Sequence, residues 1–107
     1  MIGHEHEARE IVQRPCLRLV GDYDVSRKDE LAEQLSILVQ TPSPVIDLSE
    51  VFYIDSSAIS CFFVLRKRRL ETLGTSEIAF VGVNPQVRRI LEICNLAEYI
   101  DEERASL

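Results

Sequence analysis

The chain has 107 residues, 46% of them hydrophobic and 28% charged, which describes one globular domain with a single core and not a disordered chain. Its formal net charge of −6 argues against nucleic acid as a partner, because phosphate contacts need clustered Lys and Arg. No apolar stretch approaches the roughly 20 residues of a membrane span, and the His- and Glu-bearing N-terminus is unlike a signal peptide.

Residues 1–7 read as a flexible N-terminus. His4 and His6 lie on that polar tail and read as solvent-exposed side chains, not metal ligands. Ala8 to Val12 and Cys16 to Val20 are two short strand candidates separated by Gln13-Arg14-Pro15, the spacing of a hairpin. In the second, Leu17 and Leu19 face one way while Cys16, Arg18 and Val20 face the other. Gly21-Asp22-Tyr23-Asp24 breaks that strand. A helix is then expected from Ser26, with Asp29 approximating a capping box. Leu31, Leu35 and Leu38 form its apolar stripe, Glu30, Glu33 and Gln34 face water, and it ends before Pro42.

The stretch from Val45 to Leu73 organises the rest. Val45-Ile46-Asp47-Leu48, bounded by Pro42 and Pro44, is a buried strand. A connection through Ser49, Glu50 and Tyr53 leads to Asp55-Ser56-Ser57-Ala58, where short polar side chains precede an apolar run of helical length and mark a helix start. The run Ile59 to Leu65 is buried on most sides. Arg66 to Arg69 wrap around the helix, so one of them must lie near the core, and Arg66, between Phe63 and Leu70, is the expected one. Gly74 caps the helix. Ile78 to Val81 is another strand, and Asn84-Pro85 starts a helix whose apolar face is Val87, Ile90, Leu91 and Cys94. Asn95 ends it in a left-handed conformation. Leu96, Tyr99 and Ile100 fold back onto the core, and Asp101 to Leu107 trail off.

The order β-β-α-β-α-β-α predicts an α/β fold, a mixed sheet with helices packed on it. Ile46, Leu48, Leu31, Leu35, Phe80, Ile90 and Leu91 are expected to share one core. Cys16, Cys61 and Cys94, odd in number and widely spaced, suit buried thiols in a reducing cytoplasm and neither a disulfide framework nor a zinc site.

No catalytic set can be drawn. The four glycines, Gly3, Gly21, Gly74 and Gly82, form no phosphate-binding loop, and the folded part has no histidine to activate a serine or cysteine. Asp22, Asp24, Asp47 and Asp55 could converge, yet solvated turn residues explain Asp22 and Asp24 as well. Neither an enzyme nor a bound cofactor or metal is expected. The serine pair at the positive end of a helix is the place to look for function.

GDYDV followed by ELAEQL, then VIDLSEVFYIDSSAIS and FVGVNPQVRRILEICNL, resembles the STAS domain family, and within it the single-domain anti-sigma-factor antagonists. The resemblance covers about Cys16 to Ile100. It implies a mixed sheet of about four to five strands with helices on one side, spanning one domain over residues 8–107. It also implies partner switching: an anti-sigma factor that is a serine kinase of the histidine-kinase-like ATPase type phosphorylates the antagonist, and a PP2C-type phosphatase resets it. Carried onto this chain, the phosphoacceptor is Ser56, and the partner-binding residues are Asp22, Asp24, Asp55, Ser57 and Ile59. Ala58 stands where the family usually has Gly, Tyr23 where it has an aliphatic residue, and Asp22 where it has Glu. The other reading consistent with the resemblance is a constitutive subunit of a larger assembly, for example a lipid-transport or signalling complex, with no phosphate chemistry.

Overall fold

Leu17 and Leu19 do point inward and Cys16, Arg18 and Val20 outward, so β1 (Cys16–Val20) forms where its alternation places it. The computed structural model describes residues 15–102. The strand expected at Ala8 to Val12 with its hairpin, the N-terminal residues 1–7 with His4 and His6, and the tail beyond Glu102 lie outside the described residues.

β2 (Val45–Glu50) runs parallel to β1, with Leu17 opposite Ile46, and parallel to β3 (Ala79–Val81), with Ile46 opposite Phe80. The order is β1-β2-β3. Parallel neighbours cannot be joined by a tight turn, so a helix crosses over between each pair. Helix α1 (Lys28–Ser36) connects β1 to β2, α2 (Ser56–Leu73) connects β2 to β3, and α3 (Pro85–Ile93) follows. The described sheet therefore has three strands, all parallel, against the four to five of mixed direction expected; the strand that would run antiparallel falls at residues 8–12.

Leu19, Ile46, Leu48 and Phe80 from one sheet face share a core with the buried residues of all three helices. The helices are on one side. Phe62 of α2 meets the Phe80 ring edge-on at 5.1 Å, the preferred geometry for aromatic quadrupoles. Leu31, Leu35 and Leu91 are buried there, and Ile90 packs on its margin; Leu96 and Ile100 fold back as expected. The opposite face carries a small cluster of Val45, Ala79 and Val81.

The helix termini largely obey local chemistry. Asn84 accepts from the Val87 N–H with Pro85 at the first helical position, Gly74 takes a left-handed φ of 77°, and Asn95 one of 63°. The first helix departs from expectation. Ser26 does not cap it: a 3-10 turn (Val25–Arg27) precedes α1, and Asp24 caps that turn, accepting from the Ser26 N–H and hydroxyl. The Ser26 hydroxyl is spent as a donor to that carboxylate, and Arg27, at the N-cap of α1, makes no side-chain capping bond. Gln34, expected in water, is half-buried and accepts from the Tyr23 hydroxyl at 3.1 Å. Among the cysteines only Cys61 is buried; Cys94 is half-buried, and Cys16 is exposed because it sits on the outer face of β1.

Of the four basic residues on α2, the buried one is Arg69, 1% exposed. Arg66 instead lies over the Phe63 ring at 5.0 Å. Arg69 Nη1 donates to the Leu38 carbonyl at 2.5 Å and the Thr41 carbonyl at 2.7 Å. These carbonyls follow the last turn of α1, where the backbone has no helical partner. Arg69 thus ties the end of one helix to the flank of the next, and burial lowers its pKa from the ordinary arginine value. Arg69→Met keeps the bulk but strands the Thr41 carbonyl and leaves the Leu38 carbonyl only the Thr41 N–H at 3.3 Å, so about 2–4 kcal/mol of stability should be lost in urea melts. That is comparable to the roughly 2–5 kcal/mol expected for Leu35→Ala in the core. A loss under about 0.5 kcal/mol for Arg69→Met would show that the carbonyls are satisfied by water.

Candidate functional site

Gly21, at φ 91°, turns the chain sharply as it leaves β1. Its N–H donates to the Glu50 carbonyl. The Tyr23 N–H donates to the Tyr53 carbonyl at 2.9 Å, and the Asp55 N–H donates to the Tyr23 carbonyl at 3.2 Å. Two segments thirty residues apart in sequence are thereby stitched together beyond the carboxyl ends of β1 and β2, the position where open parallel sheets place their sites.

Tyr23 anchors the turn from within. Its ring is buried, Arg27 stacks over it at 4.0 Å, and Arg27 also donates to the Val20 and Asp22 carbonyls and to Glu30. An aliphatic side chain in place of Tyr23 would give neither the ring nor the hydroxyl contact to Gln34. Asp24 is exposed, and its two bonds from Ser26, the hydroxyl first, hold its carboxyl below the usual carboxylate range. Asp22 is exposed and joins the turn through its backbone.

On the other segment, Asp55 is the N-cap of α2. Its carboxylate accepts from the Ser57 N–H at 2.8 Å and the Ala58 N–H at 3.3 Å. This leaves both serines out of capping. Ser56, the first residue of the helix, is exposed; Ser57 is half-buried. Ala58 sits in ordinary helical backbone and is buried, so the methyl group fills core space and demands no unusual conformation. Among the described residues, no imidazole or carboxylate engages either hydroxyl. Ser56 is a hydroxyl that an external enzyme can reach, without a neighbour that would activate it as a nucleophile.

The structure thus brings Asp22, Asp24, Asp55, Ser56 and Ser57 to one end. Ile59 it does not: at 6% exposed it packs in the core and offers almost no area to a partner. Ile59 lies on the buried face of α2 with Ala58, Phe62 and Leu65. The exposed apolar groups at this end are Val25, Phe52 and Tyr53 instead, with Phe52 61% exposed. Two adjacent aromatics in a connection between a strand and a helix were the available signal for them. Asp47 does not join the other carboxylates; it pairs with Arg18 at 3.4 Å on the outer face of the sheet. No three His, Cys, Asp or Glu residues gather as a metal site among the described residues.

The family model of the STAS domain matches residues 6–106. The chain belongs to the STAS domain family. Its fold is that of the anti-sigma factor antagonist SpoIIAA in its unphosphorylated form, with a TM-score of 0.68 and 20% identity over 89% of this chain and 88% of that one. It is likewise similar to a sulfate transporter family protein from Wolinella succinogenes, with a TM-score of 0.64 and 21% identity over 84% of this chain and 73% of that one. In this STAS domain no described helix is long and apolar enough to cross a membrane.

The division of labour between cap and serine is measurable. Asp55→Ala should cost about 1 kcal/mol of stability, the value of an N-cap. Ser56→Ala should change stability by less than about 0.5 kcal/mol, since no bond of its hydroxyl is lost. Equal costs for the two in thermal or urea melts would show that Ser56 has a structural role.

Proposed function

We propose that this STAS domain is an anti-sigma-factor antagonist that switches partners by phosphorylation of Ser56. The observation that carries the reading is the placement of one exposed serine hydroxyl, at the first position of α2, beside the Asp22–Asp24 turn on a common end of the sheet. Unphosphorylated, this end docks on an anti-sigma factor that is a serine kinase of the histidine-kinase-like ATPase type, and a PP2C-type phosphatase reverses the modification. The domain itself is a cytoplasmic regulator and not an enzyme.

Electrostatics supply the mechanism. A phosphate adds about −1.5 to −2 charges at pH 7. The fold tolerates it, because the positive end of an 18-residue helix favours an anion. A complex does not: the dianion would be desolvated next to the Asp55 carboxylate, and a like-charged buried contact costs several kcal/mol. About 3 kcal/mol corresponds to a roughly hundredfold loss of affinity.

The likeness to a sulfate transporter family protein favours a second reading, a constitutive subunit of a transport assembly in which Ser56 is never modified. Incubation with the cognate kinase and ATP, site mapping by mass spectrometry and affinity measurement separate the two. We expect phosphate on Ser56, tight binding by Ser56→Ala, and at least roughly tenfold weaker binding by a folded Ser56→Asp. Phosphate on Ser57 alone, or undiminished binding by the phosphorylated protein, contradicts the switch.

A further inference from the structure

Helices α1 and α2 leave an open apolar groove of about 170 Å³ between them, which begins at Lys28 and at Ser60, one turn past Ser56. Its walls are two rows of residues at four-residue spacing: Lys28, Ala32 and Ser36 on α1, and Ser60, Val64 and Arg68 on α2. Rows of this spacing are the ridges against which another helix packs. Leu35, Cys61 and Leu65 form the floor. The small side chains at Ala32, Ser36 and Ser60 let a third backbone come close, and Val64, 55% exposed, stands free to be covered.

Charge at the groove selects what covers it. The two helices run alongside in the same direction: the Lys28 carbonyl contacts Cys61 Sγ, and Arg69 reaches the residues just past α1. Lys28 and Arg68 therefore stand at opposite ends, about 12 Å apart by the rise of eight helical residues. No carboxylate lines the groove, although the chain carries a net charge of −6; Asp29 is near enough to act on the Cys61 thiol but is not part of the wall. Neither cation has a carboxylate partner among the described residues. A lipid with a single anionic head would use one cation and leave the other idle. A helix with an apolar stripe and carboxylates about two turns apart uses both.

We propose that this groove docks an amphipathic helix of a partner protein, one whose apolar stripe is flanked at both ends by Asp or Glu. Binding is of the helix-in-groove kind: burial of the stripe gives the affinity, and Lys28 and Arg68 set the register and direction. The site stands independently of whether Ser56 is modified.

The experiment is an amide NMR titration of the whole protein with two helical peptides of about 14 residues, sharing one Leu stripe and ending in Glu or in Lys at the flanking turns. The Glu-ended peptide should shift the amides of Ala32, Ser36, Ser60 and Val64 and bind about tenfold more tightly than the Lys-ended one. In the double variant Lys28→Glu/Arg68→Glu, whose fold is checked by circular dichroism, the preference should invert. Ala32→Trp fills the groove without altering charge and should abolish both titrations. Equal binding of both peptides, no shift at about 1 mM of either, or displacement of the Glu-ended peptide by laurate at the same amides would each overturn the proposal.

Discussion

The site depends on two backbone hydrogen bonds, from the Tyr23 N–H to the Tyr53 carbonyl and from the Asp55 N–H back to Tyr23. Each is worth only about 1 kcal/mol net. What makes them decisive is how Tyr23 is anchored: its ring is buried, capped by Arg27 and tethered to Gln34. The turn after β1 and the start of α2 are consequently one surface, with the Asp24 carboxylate, the Asp55 cap and the Ser56 hydroxyl held by rigid elements and not by a loose loop. Phosphate chemistry at Ser56 would thus act on a surface whose shape is already set.

The other end of α2 is held by a different device. Arg69 enters the core from the far side and satisfies the carbonyls that trail from α1. It ties the residues after α1 to the flank of α2, at one end of the groove between the helices. A buried arginine is costly; among the described residues it forms no carboxylate ion pair within 4 Å and its Nε has no bond. Offsetting that cost, the two Nη1 protons go to the Leu38 and Thr41 carbonyls, with the Val39 carbonyl at 3.5 Å, a geometry that an apolar residue could not reproduce.

Much of this architecture was legible in the residues. The strand alternation at Leu17 and Leu19, the stripe of Leu31 and Leu35, and the Asn84-Pro85 start were local signals that tertiary packing had no reason to override. The misreadings have physical causes. Ser26 looked like a cap, but its own N–H and hydroxyl donate to Asp24 and a 3-10 turn separates it from α1. Arg66 and Arg69 are nearly indistinguishable by period, being three positions apart on one helix, and only the carbonyls beyond α1 decide which is buried. Ile59 looked available because it lies in the first turn of the helix, yet it falls on the face that packs in the core with Ala58 and Phe62. The Asp55–Ser56–Ser57 constellation was visible at once; that Asp55 does the capping and frees Ser56 was not, since all three side chains are competent caps.

In the proposed switch, two distant segments act as one surface and Ser56 governs it. Amide hydrogen exchange on the complex with the partner kinase tests this most directly. Protection should appear together at residues 22–25 and 52–58, and should vanish from both when Ser56 is phosphorylated, with the core amides of β2 and α2 unchanged. Protection confined to one of the two segments, or retained after phosphorylation, would contradict it.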